Sequence, residues 1–91
     1  MGFEWDPRKA DSNFAKHGVR FSESLPVFDD DYSISAADEV SGTDEQRVLA
    51  IGTGTKYRVL AVVYCFRGDN IRIISARVAD PNERKLYEDN R

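Results

Sequence analysis

The sequence predicts an α+β domain: two N-terminal helices, an antiparallel sheet of about four strands with a short extra N-terminal strand, and a C-terminal helix. Three observations carry this. Two helix-start signals, Asp6-Pro7 and Asp80-Pro81, stand at the two ends of the chain. Between them lie β-branched or alternating runs at residues 32–36, 46–53, 57–66 and 70–77. The links among the last three runs are too short for crossovers, so neighbouring strands run antiparallel. Ninety-one residues, 1–91, form a single domain with a small core.

Taken in order, Phe3-Glu4-Trp5 alternates apolar and polar side chains and reads as a short edge strand. Asp6 caps a helix that Pro7 enters and Gly18 ends, spanning residues 7–17. Ala10, Phe14 and His17 share its inward face, with Lys9, Asn13 and Lys16 as a polar stripe beside it. A second helical segment over 22–29 carries Leu25, Val27 and Phe28, although Pro26 removes one of its hydrogen bonds. Asp29-Asp30-Asp31 ends it without the spaced ligands and glycine of a calcium loop. Residues 38–44 form a polar loop. Gly52-Thr53-Gly54-Thr55-Lys56 is a hairpin turn, since it lacks the spacing and following helix of a phosphate loop. The run 57–66 is the most apolar and central, and Gly68-Asp69-Asn70 turns it into 70–77. Asp80, Pro81 and Glu83 then compose a capping box for a helix over 81–89, too short to persist alone and docked through Leu86 and Tyr87. With helices on one side, the other sheet face stays open and is the natural site.

Hydrophobic content of 41% and charged content of 32% belong to a globular chain. No apolar run approaches the roughly 20 residues that span a bilayer, and the N-terminus lacks a signal-peptide core. The lone Cys65 lies in an apolar strand and reads as a buried hydrophobe. A cytoplasmic protein with no membrane association is expected. The net charge is −3, but residues 1–45 carry −7 and residues 46–91 carry +4. A local basic face, or a charged partner, fits that asymmetry.

Cys and His are too few for a zinc site, and no metal or cofactor is expected. His17 lies in no triad context, and no dinucleotide fingerprint follows a strand. What remains is Arg47, Arg58, Arg67, Arg72, Arg77 and Arg84, with Tyr57, Tyr64, Tyr87, Lys9, Lys16 and His17. Guanidinium forks bind phosphate oxygens, aromatic rings stack on bases, and an imidazole or carboxylate moves protons. This inventory suits phosphodiesters. On an ideal strand, however, Arg72 and Arg77 point to opposite faces, so a bulge or an early strand end is needed to bring them together.

The segments FEWDPRKADSNFAKHGVRF at 3–21, Glu45-x-Arg47, Ile51-Gly52, and RIISAR at 72–77 followed by Glu83-Arg84 and Tyr87 resemble the BrnT toxins over nearly the whole chain. That resemblance implies a RelE-like fold and a metal-independent endoribonuclease that arrests translation. It implies a BrnA-like ribbon-helix-helix antitoxin, and contact with operator DNA only through that antitoxin. Carried over, His17, Arg47, Arg72 and Arg77 are the expected catalytic residues. Lys9, Lys16, Arg67 and Tyr87 are expected to bind RNA, and Glu45 is the alternative base to His17. The chain departs from the pattern before Glu45, where Val40-Ser41 stands in place of a histidine-serine pair. The alternative is a module that has lost catalysis and only engages its antitoxin.

Overall fold

The structure, a computed structural model, describes residues 2–38 and 46–91. In chain order these are β1 (Phe3–Glu4), α1 (Pro7–His17), a 3-10 helix (Phe21–Asp29), β2 (Ile34–Ala37), β3 (Val48–Thr53), β4 (Val59–Arg67), β5 (Asn70–Val78) and α2 (Pro81–Asp89). Among the described residues the sheet has five strands, ordered β1-β5-β4-β3-β2. Strands β2 to β5 are antiparallel neighbours, as their short links require. Strand β1 differs. It pairs parallel to β5 through Phe3 with Ile71 and Glu4 with Arg72, because α1 and the intervening strands form a long crossover between the two.

Local signals set the helix ends. The Asp6 carboxylate accepts from the Arg8 amide at 2.9 Å, and Gly18 closes α1 at φ 68°. At the other end the Asp80 carboxylate accepts from the Glu83 amide while the Glu83 carboxylate accepts from the Asp80 amide, a complete capping box. The second helical segment is a run of 3-10 turns, not an α-helix. Pro26 inside it cannot donate the bond an α-helix would need, and i to i+3 turns accommodate that loss.

One face of the sheet packs under α1 and the 3-10 helix through Val19, Phe21, Val27, Ala50, Leu60, Val62, Ile73 and Ala76. The buried member of α1 is Asn13, while Phe14 is exposed with the Arg20 guanidinium 4.1 Å above its ring. The inward stripe is thus rotated from the expected Ala10, Phe14 and His17, because α1 lies along the edge of β5 and its contact there is polar. The opposite face is not wholly open. Helix α2 covers part of it, seating Tyr87 on Ile51, Val59 and Ala61. Leu86 stays more than half exposed, lining a groove with Ile34, Leu49 and Ile51. Cys65 is buried.

Candidate active site

A β-bulge decides where the arginines point. On β4, Val63 pairs with Ser75 but the next residue, Tyr64, pairs with Ile73, so Ile74 is an extra residue in β5. Arg72 lies opposite Cys65, and Arg77 lies opposite Ala61. Cys65 and Ala61 are an even number of residues apart and share a face, so their partners do too. The five-residue interval between Arg72 and Arg77 would otherwise have separated them. Ser75 lies between them on the same face, opposite Val63. Four residues of β4 put the two arginine rows about 14 Å apart at ~3.4 Å per residue, a span two extended arginine side chains can bridge from either side of Ser75.

Arg67 and Arg47 extend this face. Arg67 is two residues beyond Cys65 on β4, opposite Asn70. Arg47 precedes β3 and continues the parity of Leu49 and Ile51. Its main-chain oxygen accepts from the Asp38 amide at 2.8 Å. The Arg47 Nε is buried without a hydrogen-bond partner among the described residues. Arg58 does not join the set. It forms a 2.6 Å ion pair with Glu23, which is only 3% exposed, and donates to the Gly18 carbonyl. That pairing holds the β3–β4 turn to the 3-10 helix.

Helix α1 brings the remaining expected groups to the edge of β5. The Asn13 side chain occupies the place of a neighbouring strand. Its Nδ2 donates to the Ala76 carbonyl at 2.8 Å, its Oδ1 accepts from the Ala76 amide at 3.1 Å, and Nδ2 also donates to the Val19 carbonyl at 2.9 Å. With α1 clamped there, Lys9, Ser12, Lys16 and His17 line a shallow cavity of about 210 Å³ with Ile74 and Ser75. Ser75 therefore borders both the imidazole cavity and the interval between Arg72 and Arg77.

Carboxylates hold two of the arginines. Arg72 Nη1 donates to Glu4 Oε1 at 3.3 Å, a single contact at the rim. Arg77 is gripped by both Glu83 oxygens, at 2.6 and 3.0 Å. The Arg77 hydrogen bonds hold the Glu83 carboxyl below its ordinary range against the opposing effect of burial, and Glu83 in turn raises the Arg77 guanidinium. A guanidinium has five N–H donors, and this fork occupies two, so Arg77 retains donors for a further ligand while Glu83 fixes its plane.

Tyr87 lies apart from that strip and is 2% exposed. Its hydroxyl donates to Asp30 at 2.5 Å and lies 2.9 Å from Thr53 Oγ1. A ring seated on Ile51, Val59 and Ala61 has no open face for a base, so the expected RNA contact is not available in this arrangement. Burial and the bond to Asp30 push the Tyr87 hydroxyl upward. Glu45 and the Val40-Ser41 departure lie outside the described residues. Among the described residues no group of three His, Cys, Asp or Glu is arranged to hold a metal ion.

Residues 5–83 match the model of a family described as the ribonuclease toxin, BrnT, of type II toxin-antitoxin systems. The chain belongs to the BrnT family. BrnT from Brucella abortus, a ribonuclease toxin with a crystal structure, is 27% identical, with a TM-score of 0.67 covering 88% of this chain and 97% of that one. No curated protein matches the sequence. The chain is thus a BrnT family toxin of a type II toxin-antitoxin system, which implies an antitoxin partner and RNA as substrate. The mixed α+β architecture is similar to that of the Brucella BrnT. No described helix is long and apolar enough to cross a membrane.

Sequence reasoning missed Ser75, Ser12 and the clamp by Asn13. A polar residue one position before Phe14, on the inward side of α1, was the available signal for Asn13. Nothing in RIISAR marks which residue becomes the bulge.

Proposed function

We propose that this chain is a metal-independent endoribonuclease that arrests translation, and that Arg72 and Arg77 hold the scissile phosphate between them. The observation that carries the reading is the extra residue in β5, by which the Arg72 and Arg77 side chains leave the same face of the sheet with Ser75 between. The 2′-oxygen of the RNA attacks the adjacent phosphorus, the P–O5′ bond breaks, and the products are a 2′,3′-cyclic phosphate and a 5′-hydroxyl. The 2′-hydroxyl proton is removed and a proton is delivered to the leaving 5′-oxygen. His17, half-buried at the cavity beside Ser75, performs one of these transfers. Negative charge that builds on the phosphate is stabilised by Arg72 and Arg77, with Arg47 and Arg67 on the flank. Lys9 and Lys16 attract the RNA backbone along α1. Because the Arg72–Glu4 contact is partly solvated, it is worth about 0–1 kcal/mol and yields readily to a phosphate.

Neutralisation belongs to a BrnA-like ribbon-helix-helix antitoxin, whose cations suit the acidic first half of the chain. The complex represses its own operon through the antitoxin's DNA contacts. The test is incubation of purified protein with RNA in EDTA, with and without the antitoxin. Cleavage to cyclic-phosphate ends that the antitoxin stops is expected. Undiminished cleavage by Arg72→Ala refutes the assignment.

A second reading draws on the carboxylates that engage both Arg72 and Arg77: an antitoxin-binding module without catalysis. Growth without arrest on expression of the chain alone, with tight antitoxin binding retained, supports it.

A further inference from the structure

We propose that the cavity between the β3–β4 hairpin and the C-terminal half of α2 is a base-stacking subsite for single-stranded RNA, with the Tyr57 ring as its platform. This rests on the ribonuclease reading and extends it to a surface outside the catalytic strip. The cavity measures about 390 Å³, and its lining includes Tyr32, Tyr57, Arg84 and Arg91.

Tyr57 is the residue that asks for an explanation. It has φ 60°, the left-handed region that bulky side chains rarely adopt, and its amide donates to the Gly54 carbonyl at 3.0 Å to close the turn. Glycine fills that backbone position without steric cost. Tyr57 is 89% exposed, so packing among the described residues does not offset the strain. Residues held in such strained conformations cluster at ligand-binding and active sites. Tyr32, about half exposed, gives the cavity a second aromatic face, and the Arg91 guanidinium lies 5.8 Å from its ring centre.

Two guanidinium groups and two carboxylates share the lining, and the guanidinium groups are the donors available to a phosphate. Asp30 lines the cavity but is occupied, accepting from the Tyr87 hydroxyl and the Thr53 and Tyr32 amides. Glu88 is engaged by Arg84 at 3.4 Å. Arg91 rests over Tyr32 and Tyr87, and its charge also acts on Asp30 across the cavity. Two exposed π faces beside guanidinium groups are the elements by which single strands are held without base readout. Geometry also connects the cavity to the strip. Val59, in its lining, is two residues along β4 from Ala61, the partner of Arg77, or about 7 Å. An RNA strand engaged by Arg77 reaches the cavity within a few nucleotides.

The experiment measures binding of a fluorescent 2′-O-methyl oligoribonucleotide, which lacks the attacking hydroxyl, to the full chain and to Tyr57→Gly and Tyr57→Phe. Tyr57→Phe keeps the unaltered affinity. Tyr57→Gly weakens binding about tenfold, the loss expected for one stacked base, while its melting temperature does not fall because the backbone strain is relieved. Equal affinity of Tyr57→Gly and the unaltered chain overturns the subsite and leaves the ribonuclease reading standing. If the unaltered chain binds no RNA, both are overturned. Loss of antitoxin binding in Tyr57→Gly with RNA affinity retained also overturns the subsite and makes the surface a protein contact.

Discussion

Replacing Asn13 with alanine strips the exposed half of β5 of its substitute neighbour. The side chain is 7% exposed and satisfies the Ala76 amide, the Ala76 carbonyl and the Val19 carbonyl, in residues that are themselves fully buried. A buried polar group left without a partner costs about 1–3 kcal/mol. Three are orphaned, but water entering the vacated space recovers part of the loss. Alanine also returns about 0.5 kcal/mol of helix propensity. A net loss of about 2–4 kcal/mol follows, against the ~5–15 kcal/mol that holds a small domain. At about 4–8 °C per kcal/mol the midpoint falls by roughly 10–30 °C. Urea and thermal unfolding followed by circular dichroism read this directly. Asn13→Asp serves as a second arm: it sets a carboxylate oxygen against two carbonyl oxygens and is the more damaging change. A loss below about 1 kcal/mol for Asn13→Ala, or an aspartate variant more stable than the alanine one, refutes the idea that this amide stands in for a strand.

Four further outcomes follow from the same physics. Hydrogen bonds from Arg77 hold Glu83 below its ordinary value of 4.5, and for Asp30 the bonds from Tyr87, Thr53 and Tyr32 together outweigh burial and bring it below 3.8. The unfolded chain therefore binds more protons, so their stabilisation is complete above those values and is lost as pH falls through them, which urea midpoints at a series of pH values report. Tyr87 carries the opposite sign at high pH: burial raises it above 10.0, so stability declines as pH rises past that value. Gly54→Ala places a methyl group 2.5 Å from the Glu23 carbonyl oxygen and 2.7 Å from a Leu60 methyl, and the first of these is backbone. A loss of about 1–3 kcal/mol in chemical denaturation is expected. Glu83→Gln keeps an acceptor for the Asp80 amide but weakens the grip on Arg77, so RNA cleavage falls more than the melting temperature does, measured side by side on one preparation.

How much of this could be read from the sequence depends on how local the cause is. The ends of α1 and α2 were legible because Asp6-Pro7, Gly18 and Asp80-x-x-Glu83 act through atoms a few residues apart. The four antiparallel strands followed from alternation and short turns. The parallel seat of Phe3-Glu4 beside β5 was not legible, since its partner Ile71 is nearly the whole chain away. Nor was the packing of α2 on the face opposite α1, because the apolar residues on the two faces of β4 are alike in kind. The candidate site divides in the same way. Residue types pointed to phosphate chemistry, yet whether Arg72 and Arg77 meet depended on Ile74 dropping out of register, which no composition signals. Tyr87 shows the converse: an aromatic ring near the C-terminus looks available until Asp30, 57 residues earlier, is seen to bind its hydroxyl.

The two occupants of the outer margin of β5 also govern how this molecule can associate. Beta-1 takes the Ile71–Arg72 end and the Asn13 amide takes Ala76, so an incoming chain finds no continuous row of free peptide groups there to extend the sheet. Among the described residues the border left for strand addition is β2, so a partner that lengthens the sheet there approaches from the side away from the arginines of β5.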